Sequence, residues 1–559
     1  MPYSLKAESQ KIFDKLVSDP VLQFPPEIQS LAKEIEFISN TGIDTPIIPT
    51  SLKLTESSSA IWATVATWVN ALIIDRYGAD AKQTMKVDVD KATLNLVSVA
   101  LITFGGKNFK DPEIYPRALI YDRGLTLTED WRALTTNIYH TKDGKFFHLH
   151  GSMDSDRTLT MLGLPYHNKE LSTRKEIIEY YDNEVRKYDS EWLDITSNER
   201  NRQAGAIVMT KEEFAKTEHG KAAADFPLYD LYSTNEDLPP VPWPAQTKGT
   251  YRPLEGINVL DVSRVIAAPQ ISKYLAMLGA NVVRISNDGN PDMALLLFDT
   301  NLGKKDTTVN LKTEAGKRVL EKLIEDADVM VDGYRPNALA RLGFSQAYIQ
   351  FLAKRRGKGI VFVRENCYGY KGPWAHRSGW QQISDCITGV CWEHGKFLGL
   401  DEPAIPVFPN ADYQCAFAGV SAVLNALWRR HKYGGSYNVD VSLTAYDVFL
   451  MNLGLLPDDV QDHLREEAGK DKDPNTSLMT IRHHDDMTIL IPRAMYFFKK
   501  LHPGLFRKEN FGVTTSKWHP DGTNKDEVFT YLKTPLEAQG VDFVPDLGSC
   551  PCGVYEPEW

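Results

Sequence analysis

The length, composition and charge of the chain restrict the classes of protein to which it can belong. It has 559 residues, of which 42% are hydrophobic and 25% are charged. A single hydrophobic core stops growing before this length is reached, so two or more domains are expected. The 74 acidic residues outnumber the 63 lysines and arginines, which gives a net charge of -11. This balance argues against a nucleic-acid-binding protein, because phosphate binding needs a concentrated basic face.

Signals for targeting, membrane insertion and disulfides are weak. The N-terminal segment MPYSLKAESQKIFDKL carries charges where a signal peptide needs an apolar core. No uninterrupted apolar run approaches the roughly 18–20 residues that span a bilayer. The six cysteines all lie in the second half of the chain, which does not suit a disulfide scaffold. We therefore predict a cytoplasmic protein that does not contact a membrane.

A proline-rich segment at residues 238–244 marks the clearest boundary in the chain. Prolines at this density hold the backbone extended and exclude a helix or a central strand. The predicted divisions are a partial, degenerate large-domain copy at 1–115, a small α+β domain at 116–237, a linker at 238–253, a large domain at 254–455 and a C-terminal extension at 456–559.

The predicted large domain alternates strands with helices. Short apolar runs predict strands, and runs with apolar residues at helical spacing predict helices. The strands are predicted at 256–262, 281–285, 328–331 and 359–364, and the helices between them at 269–279 and 313–325. Strands and helices that alternate with short connections indicate an α/β fold, a doubly wound parallel sheet of the Rossmann-like kind.

The first half of the chain has a less regular pattern. A helix is predicted at 58–74, a strand at 86–89, a turn and strand at 142–150, and a charged helix at 170–188. This mixture is typical of a smaller α+β domain rather than of a second nucleotide fold.

An internal repeat links the two halves of the chain. The sequence VNAL at 69–72, followed by Tyr77-Gly78 and VDVD at 87–90, recurs later. The second copy is LNAL at 424–427, Tyr433-Gly434 and VDVS at 439–442. The order of a helix, a glycine turn, a short strand and a helix is thus predicted twice, as a partial duplication.

The second half resembles the family III CoA-transferases, the CaiB/BaiF family, over residues 254–452. The resemblance includes a first strand that runs into a turn with small residues and proline, and a later block with an acidic residue, a small residue, an aromatic residue and a proline. The matching blocks, in order, are LDVSRVIAAP at 260–269, LGANVV at 278–283, VNLKT at 309–313, DVMVDGYRP at 328–336, ALARLG at 338–343, GYKGP at 369–373, RSG at 377–379, Asp412 before Ala418-Gly419, and VDVSL at 439–443.

The resemblance implies that Asp412 is the nucleophile. In this family an aspartate attacks the donor thioester, forms a mixed anhydride and then an aspartyl-CoA thioester, and passes CoA to the acceptor acid. Asp412 is expected at a turn before a helix whose start contains Ala418 and Gly419. Free N–H groups and positive potential at a helix N-terminus would then stabilise the oxyanion. The alternative is that Asp412 is only an N-cap, which would be worth roughly 1 kcal/mol.

Two departures from the family pattern affect the predicted chemistry. Relatives that act as racemases have a histidine-aspartate pair where this chain has Trp380-Gln381. Neither side chain titrates near neutrality, which argues against a racemase. Gln381 stands in place of an acidic residue and is still predicted to belong to the catalytic site. The segment Asp412-Tyr413-Gln414-Cys415 is bulkier than the family pattern, which could alter the space over the carboxylate.

The resemblance also implies a set of CoA contacts. Aromatic stacking on adenine suits Tyr334, a phosphate contact suits Arg341, and small residues allow a close approach of the backbone. Relatives often have an arginine near the second strand, where this chain has Asn287, and Arg284 is a possible substitute. The predicted CoA-binding residues are Val265, Ala267, Val309, Gly333, Tyr334, Ala338 and Arg341.

The family works as interlocked dimers with sites between subunits. In register with the repeat, the position of Asp412 falls near Glu56-Ser57, where no aspartate is found. The first half is therefore predicted to be a degenerate copy that imitates part of the dimer, either as a pseudo-dimeric monomer or within a homodimer. The expected substrates are an acyl-CoA and a small carboxylic acid.

Alternatives to CoA transfer remain open from the sequence. They are a different reaction on an acyl substrate, such as isomerisation or dehydration, and a non-catalytic binding or scaffold protein. Metal sites at His148 and His150 or at residues 483–486 are disfavoured, because the first pair suits a strand surface and the second segment a solvated turn. Cys550 and Cys552 lack a second pair, so no metal cofactor is predicted.

Overall fold

The structure is a computed structural model that describes residues 3–122, 129–246, 249–519 and 527–559. A few positions within the predicted domains and linker, such as 247–248, therefore lie outside the described residues. The first described segment, residues 3–122, contains both helices and short strands. Its helices are α1 (Leu5–Ser18), α2 (Pro26–Leu31), α3 (Leu54–Tyr77), α4 (Val89–Asn95) and α5 (Tyr115–Asp122), and its strands are β1 (Ile35–Ile38), β2 (Met85–Asp88), β3 (Thr103–Phe104) and β4 (Lys107–Asn108).

The next segment forms a small α+β unit, as predicted. An antiparallel sheet with strand order β5-β6-β7 packs against helices, and β8 leaves this unit to join another sheet. The helices are α6 (Asp130–Ala133), α7 (Asp156–Leu162), α8 (Arg174–Val185), α9 (Ser190–Ile195), α10 (Lys211–Lys216) and α11 (Glu218–Ala223), and the strands are β5 (Asn137–His140), β6 (Phe146–Leu149), β7 (Gly205–Ile207) and β8 (Asp230–Thr234).

The large domain alternates strands and helices as the sequence predicted. Its strands are β9 (Asn258–Val262), β10 (Asn281–Ser286), β11 (Lys304–Thr308), β12 (Val329–Asp332), β13 (Val361–Asn366) and β14 (Ser436–Ser442). Its helices are α12 (Ala267–Met277), α13 (Ala294–Thr300), α14 (Glu314–Asp326), α15 (Ala338–Arg341), α16 (Gln346–Arg356), α17 (Gln381–Thr388), α18 (Val390–Phe397), α19 (Asn410–Tyr433) and α20 (Leu443–Asn452).

The C-terminal segment returns to the first half of the chain. Strand β16 pairs with β3, and β17 pairs with β2, so the end of the chain completes two small sheets begun near its start. The elements are α21 (Asp458–Ala468), α22 (Met487–Leu501), β15 (Phe511–Ser516), β16 (Glu527–Leu532) and β17 (Leu536–Glu537).

The large sheet has the order β11-β10-β9-β12-β13-β14-β8, and only the β14–β8 pairing is antiparallel. Neighbouring residues on its strands belong to different hydrophobic clusters. Val259 and Val329 pack in the main core with α12, whereas Leu260 and Met330 pack in a second cluster with α14 and α16. Both faces of the sheet are therefore buried, as a doubly wound fold requires, and the predicted α/β fold class is confirmed.

Local sequence signals explain most helix ends in this domain. Thr313 caps α14 by accepting a hydrogen bond from the Gly316 amide, and Ser345 caps α16 by accepting one from Tyr348. The helix predicted at 269–279 begins two residues earlier, at Ala267. Pro269 lies in its first turn, where a missing N–H group removes no helical hydrogen bond.

The two copies of the repeat form matching structures that pack against each other. Helices α3 and α19 both have 24 residues, and each ends where a glycine amide, Gly78 or Gly434, bonds a carbonyl four residues back. Each helix is followed by a strand and a further helix. The α3 helix begins four residues before the predicted start, because residues 55–59 are polar in sequence but buried in the helix–helix contact.

Helix α3 also has the length and apolar composition of a membrane span. In its most apolar window, however, 94% of the residues are buried inside the protein. The contact with α19 accounts for this apolar surface, and Gln414 adds a 3.0 Å hydrogen bond from its Nε2 to the Leu54 carbonyl. The predicted absence of membrane contact and the cytoplasmic location stay predictions.

Candidate active site

Asp412 lies inside the first turn of α19 and on the wall of a cavity of about 590 Å³. The N-cap of this helix is Pro409, so the expectation of a turn before the helix is wrong, and the alternative of an N-cap role is excluded. Val99 and Asp299 surround the next residue, Tyr413, whose hydroxyl accepts a 3.1 Å hydrogen bond from the Val99 amide. Among the described residues, none donates a hydrogen bond to the Asp412 carboxylate.

Burial, and to a smaller extent the neighbouring Asp447, raise the pKa of Asp412 to about 8. Its side chain is nevertheless partly accessible, because it faces the cavity. The pKa of Glu365 is also raised to about 8, by burial and then by Asp412 and Asp332. The cavity therefore has a carboxyl group that gives up its proton at mildly alkaline pH, next to other buried acids.

Gln381 lines the same cavity as Asp412, as the resemblance implied. It begins α17, and its Nε2 donates a hydrogen bond to Asp385, one turn further along the helix. Asp385 in turn contacts Asp447, which accepts a 2.5 Å hydrogen bond from the Ser384 hydroxyl. Burial raises the pKa of both carboxyl groups, and Asp447 raises that of Asp385 further, whereas hydrogen bonds from Ser384 and Asp385 lower that of Asp447, so the pair retains a proton between them.

Helix N-termini surround the cavity. Lining residues come from the first turns of α12, α17, α19 and α22, or from the residue just before them: Ile266, Gln381, Asp412 and Asp486. Unsatisfied N–H groups at these ends give positive potential without a basic side chain. An oxyanion or a thiolate that forms in the cavity is stabilised by this arrangement.

The small domain contributes a histidine that the sequence did not assign to this site. His150 lines the cavity, and its ring stacks on Trp380 with centroids 5.2 Å apart. Its Nδ1 accepts a 2.8 Å hydrogen bond from the Ser152 amide, and Trp380 Nε1 donates to the Ser152 hydroxyl at 3.2 Å. Burial holds the pKa of His150 well below its ordinary value, so the ring is neutral.

Four of the predicted CoA residues follow two neighbouring strands of the sheet: Val265 and Ala267 come after β9, and Gly333 and Tyr334 come after β12. The strand order reverses between β9 and β12, which is where doubly wound sheets bind ligands. A second cavity of about 240 Å³ opens there, and Tyr334, Asn287 and Arg264 line it. The Arg264 guanidinium lies over the Tyr334 ring, 5.2 Å from its centroid.

The loops around this second cavity pack closely. A Cβ on Gly333 would lie 2.4 Å from the Ala268 Cβ, so only glycine fits between the two loops. Val265 has a φ of 76°, an uncommon conformation for a β-branched residue, and it lines the larger cavity. Ala267 is buried at the start of α12, where it continues this loop into the helix.

Of the predicted CoA residues, Val265 lines the larger cavity and Tyr334 the smaller one, whereas the others line neither. Val309 is buried in the cluster beneath the sheet end, and Ala338 begins the short helix α15. Arg341 is exposed and donates to the Pro336 carbonyl at 3.3 Å. Arg284 is fully buried between Asp292 and Asp306, at 2.6 Å from each, so the suggestion that it replaces the family arginine is wrong.

Three arginines that the sequence analysis did not select lie near Tyr334 or near one another: Arg264 lies over the Tyr334 ring, Arg335 is next to Tyr334 in the chain, and Arg157 and Arg264 both affect the charge of Arg335. Burial, and then the nearby Arg157 and Arg264, lower the pKa of Arg335 to about 10. Within the described ranges, none of the three makes an ion pair with a carboxylate. Arg335 and Arg264 both belong to sequence blocks that match the family. The sequence therefore contained both residues at family positions, but it did not show that their side chains lie close together.

Two histidine segments differ from their predicted settings. His148 is fully buried rather than on a strand surface, and burial lowers its pKa to about 4. His483 is also buried instead of lying in a solvated turn, and it has ligand atoms within 4.8 Å of those of His140 and Asp182. Two members of this group, His140 and Asp182, are joined by a 2.9 Å hydrogen bond, which explains why they lie close together without a metal ion. The absence of a metal stays a prediction.

Comparison with known proteins identifies the family. Acetyl-coenzyme A transferase nodX from Hypoxylon pulicicidum is 36% identical over 521 residues, which are 91% of this chain and 86% of that protein.

The chain belongs to CoA-transferase family III.

The family model for CoA-transferase family III matches residues 254–511, which extends beyond the resemblance seen in the sequence. An acyl-CoA transferase from Gibberella moniliformis is 32% identical over 442 residues, which cover 77% of this chain and 76% of that protein. A crystal structure of Rv3272 from M. tuberculosis is 20% identical, covers 55% of this chain and 98% of that chain, and has a TM-score of 0.39. This CoA-transferase is an enzyme, and its class takes CoA thioesters and carboxylates as substrates.

Proposed function

We propose that this CoA-transferase moves CoA from an acyl-CoA to a carboxylic acid through a covalent intermediate on Asp412. The observation that carries the proposal is the unpaired Asp412 carboxyl group on the wall of a cavity surrounded by helix N-termini. A carboxylate is a suitable nucleophile because its acyl derivatives remain reactive enough to turn over. Gln381 lines the same cavity from α17, where its Nε2 donates a hydrogen bond to Asp385.

The proposed reaction passes through a mixed anhydride and then a CoA thioester on Asp412. The Asp412 carboxylate attacks the thioester carbonyl, a C–O bond forms, the C–S bond breaks, and CoA leaves as a thiolate. The thiolate then attacks the aspartyl carbonyl of the anhydride, which releases the donor acid and leaves CoA on Asp412. The acceptor carboxylate repeats the sequence in reverse, so a new acyl-CoA leaves and Asp412 is regenerated.

The positive ends of the surrounding helices suit this sequence, because each step passes through an oxyanion or a thiolate. Deprotonated Asp412 is required at the start, so its raised pKa makes the fraction of active enzyme depend on pH. His150 is neutral in the free enzyme and stacks on Trp380, so in this proposal it shapes the cavity and takes no proton from the substrate.

For CoA itself, we propose that Tyr334 contacts the adenine and that Arg264, Arg335 and Arg157 contact the phosphates. Three guanidinium groups without carboxylate partners repel one another, and a polyanion would relieve this repulsion. Val265, Ala267 and Gly333 would form the loop along which the pantetheine arm passes from the small cavity to the large one.

Mass spectrometry after incubation with an acyl-CoA tests the covalent step. Acetyl-CoA and succinyl-CoA are suitable probes, and peptide mapping should place a CoA-sized adduct on Asp412. Hydroxylamine should remove the adduct, and Asp412→Asn should not form it. An acceptor acid labelled with ¹⁸O should also transfer label to the Asp412 carboxylate. Transfer of CoA without an adduct and without label would contradict the intermediate.

A further inference from the structure

Apolar side chains form much of the wall of the large cavity. Part of this wall is built by Leu295 and Leu296 at the start of α13, and by Met487 and Ile491 on α22. These last two residues are four positions apart, so they present neighbouring apolar side chains on one face of the helix. A volume of about 590 Å³ lies in the range of cavities that enclose drug-sized molecules.

The two apolar helices come from separate parts of the fold. Helix α13 packs on α5 from the first half, and the Asp292 amide before it donates a 2.9 Å hydrogen bond to the Tyr121 carbonyl. Helix α22 is held by Asp486, its N-cap, which also pairs with Arg174 of the small domain. The cavity wall is therefore anchored on both sides, and its size is set by the fold.

The charges at the rim of this cavity are mainly negative. Glu129, Asp130 and Asp486 line it, whereas Lys110 is its only lysine or arginine among the described residues. Arg174, another cation near the cavity, is paired with Asp486 and lies 4.0 Å from Asp130, and His167 contacts Glu129 at 2.9 Å. Burial lowers the pKa of Lys110, and Asp486 opposes this shift, so the lysine lies within the field of a rim carboxylate. A second carboxylate on the substrate would meet more negative than positive charge.

We infer that the acid on which this CoA-transferase acts is a bulky, mainly hydrocarbon monocarboxylic acid rather than a short dicarboxylic acid. The inference rests on the proposed function, because the reacting carboxyl group must reach Asp412 while the hydrocarbon part occupies the space between α13 and α22. Apolar walls bind the body of such an acid, and the rim carboxylates repel a second anionic end.

A competition assay measures the acid preference directly. Acetyl-CoA serves as donor, and equal amounts of acetate, butanoate, hexanoate, octanoate and decanoate compete as acceptors, with the acyl-CoA products quantified by mass spectrometry. Each added methylene should raise kcat/KM about three- to fourfold until the cavity is filled. Octanoate should exceed octanedioate, its matched diacid, by more than about tenfold. A flat series, or a preference for succinate, glutarate or octanedioate, would overturn the inference.

Variants locate the preference in the cavity. Ile491→Trp and Leu296→Trp fill the space and should lower transfer to decanoate at least tenfold more than they lower transfer to acetate. Leu455→Trp, at an exposed position outside the cavity, is the matched control. The double change Glu129→Gln and Asp130→Asn should reduce the discrimination against octanedioate. Unchanged discrimination in this double variant would exclude the rim charges as its cause.

The test separates failure of the inference from failure of the proposed function. If the Asp412 adduct forms but the chain-length series is flat, only the acid preference is wrong. If no acid accepts CoA and no adduct forms, the proposed transfer is wrong, and binding of decanoate and octanedioate to the full chain is then measured by ligand-observed NMR. Binding of decanoate that Ile491→Trp abolishes supports the cavity assignment, whereas equal binding of both acids contradicts it.

Discussion

The Ser57 hydroxyl lies 3.1 Å from the Tyr446 hydroxyl, which also accepts a hydrogen bond from Asn410 at the start of α19. In register with the repeat, the position that Asp412 occupies in the second copy falls near Glu56-Ser57 in the first, and Glu56 and Asp412 are each the third residue of their helix. Glu56 is buried, and the Tyr3 hydroxyl donates a 2.8 Å hydrogen bond to its carboxylate. The N-terminal segment thus fills the place where a second site would be expected, while the second copy retains an open carboxyl group.

The first prediction concerns assembly. Because α3 packs on α19 within one chain, the contact expected between two subunits is already satisfied. Light scattering should therefore give a mass near 63.0 kDa, with a homodimer as the second possibility. A mass well above twice this value would exclude both arrangements.

Asp412→Asn should remove most activity, because the amide keeps the shape of the side chain but cannot attack a thioester. The expected loss in kcat is about 10⁴–10⁶-fold. CoA binding, measured by calorimetry, should remain within about threefold of the unmodified enzyme, since the proposed contacts with the nucleotide part of CoA are at the sheet end. Near-normal turnover would exclude the aspartyl intermediate and favour another reaction on the same scaffold.

The raised pKa of Asp412 predicts how activity depends on pH. Below a pKa of about 8, kcat/KM should rise roughly tenfold per pH unit, because only the carboxylate attacks. Gln381→Glu adds a buried carboxyl group beside Asp385 and should move this pKa upward, so the variant is slow at pH 7 and recovers at higher pH. Gln381→Ala adds no charge and should leave the midpoint in place. Identical midpoints in both variants would contradict the electrostatic coupling.

The same pKa predicts an effect on stability with a defined sign. Asp412 has a folded-state pKa of about 8 against an ordinary value of 3.8, so the folded protein retains a proton that the unfolded chain releases. This contribution is complete below pH 3.8 and is lost as pH rises through 8. The Asp412→Asn variant has no carboxyl group at this position and does not lose this stability. The difference between its melting temperature and that of the unmodified protein should therefore increase from pH 5 to pH 8. Asp401→Asn, an exposed control, should show no such trend.

The arginine cluster predicts which residues bind the CoA phosphates. Arg335→Ala and Arg264→Ala should each weaken acyl-CoA binding about 10–100-fold, the value of a lost charge-assisted hydrogen bond, with a smaller change in kcat at saturation. Tyr334→Ala and Arg341→Ala are measured in parallel, because the sequence favoured them. If Arg341→Ala has the largest effect and Arg335→Ala has none, the phosphates bind at α15 instead.

The sequence predicted the parts of the fold that depend on local pattern. Continuous apolar runs identified β9, β10, β12 and β13, and their bounds differ from the predicted ones by at most two residues. Pairing over long distances was not predictable: β8 from the small domain pairs with β14, and β17 near the C-terminus pairs with β2. Register between segments hundreds of residues apart depends on tertiary packing, which no local pattern encodes.

The site was predictable only where family blocks continued in order. Asp412 and Gln381 line one cavity. Both were selected from the sequence because they lie within or next to those blocks. His150 reaches the same cavity from the small domain, and Arg157 reaches the arginine cluster from α7, so neither has a spacing that links it to the large domain. Arg284 is the opposite case. Its charge suggested a contact with CoA, but its guanidinium group is buried and paired with Asp292 and Asp306, so its role is structural.

The packing of α3 on α19 has a consequence for how the enzyme behaves on dilution. Two separate subunits dissociate as their concentration falls, and an obligate dimer loses stability with them. Here a covalent chain joins the two helices, and their association is an intramolecular event with the same probability in a dilute cell extract as in a concentrated solution. Melting temperature and specific activity should therefore be independent of protein concentration.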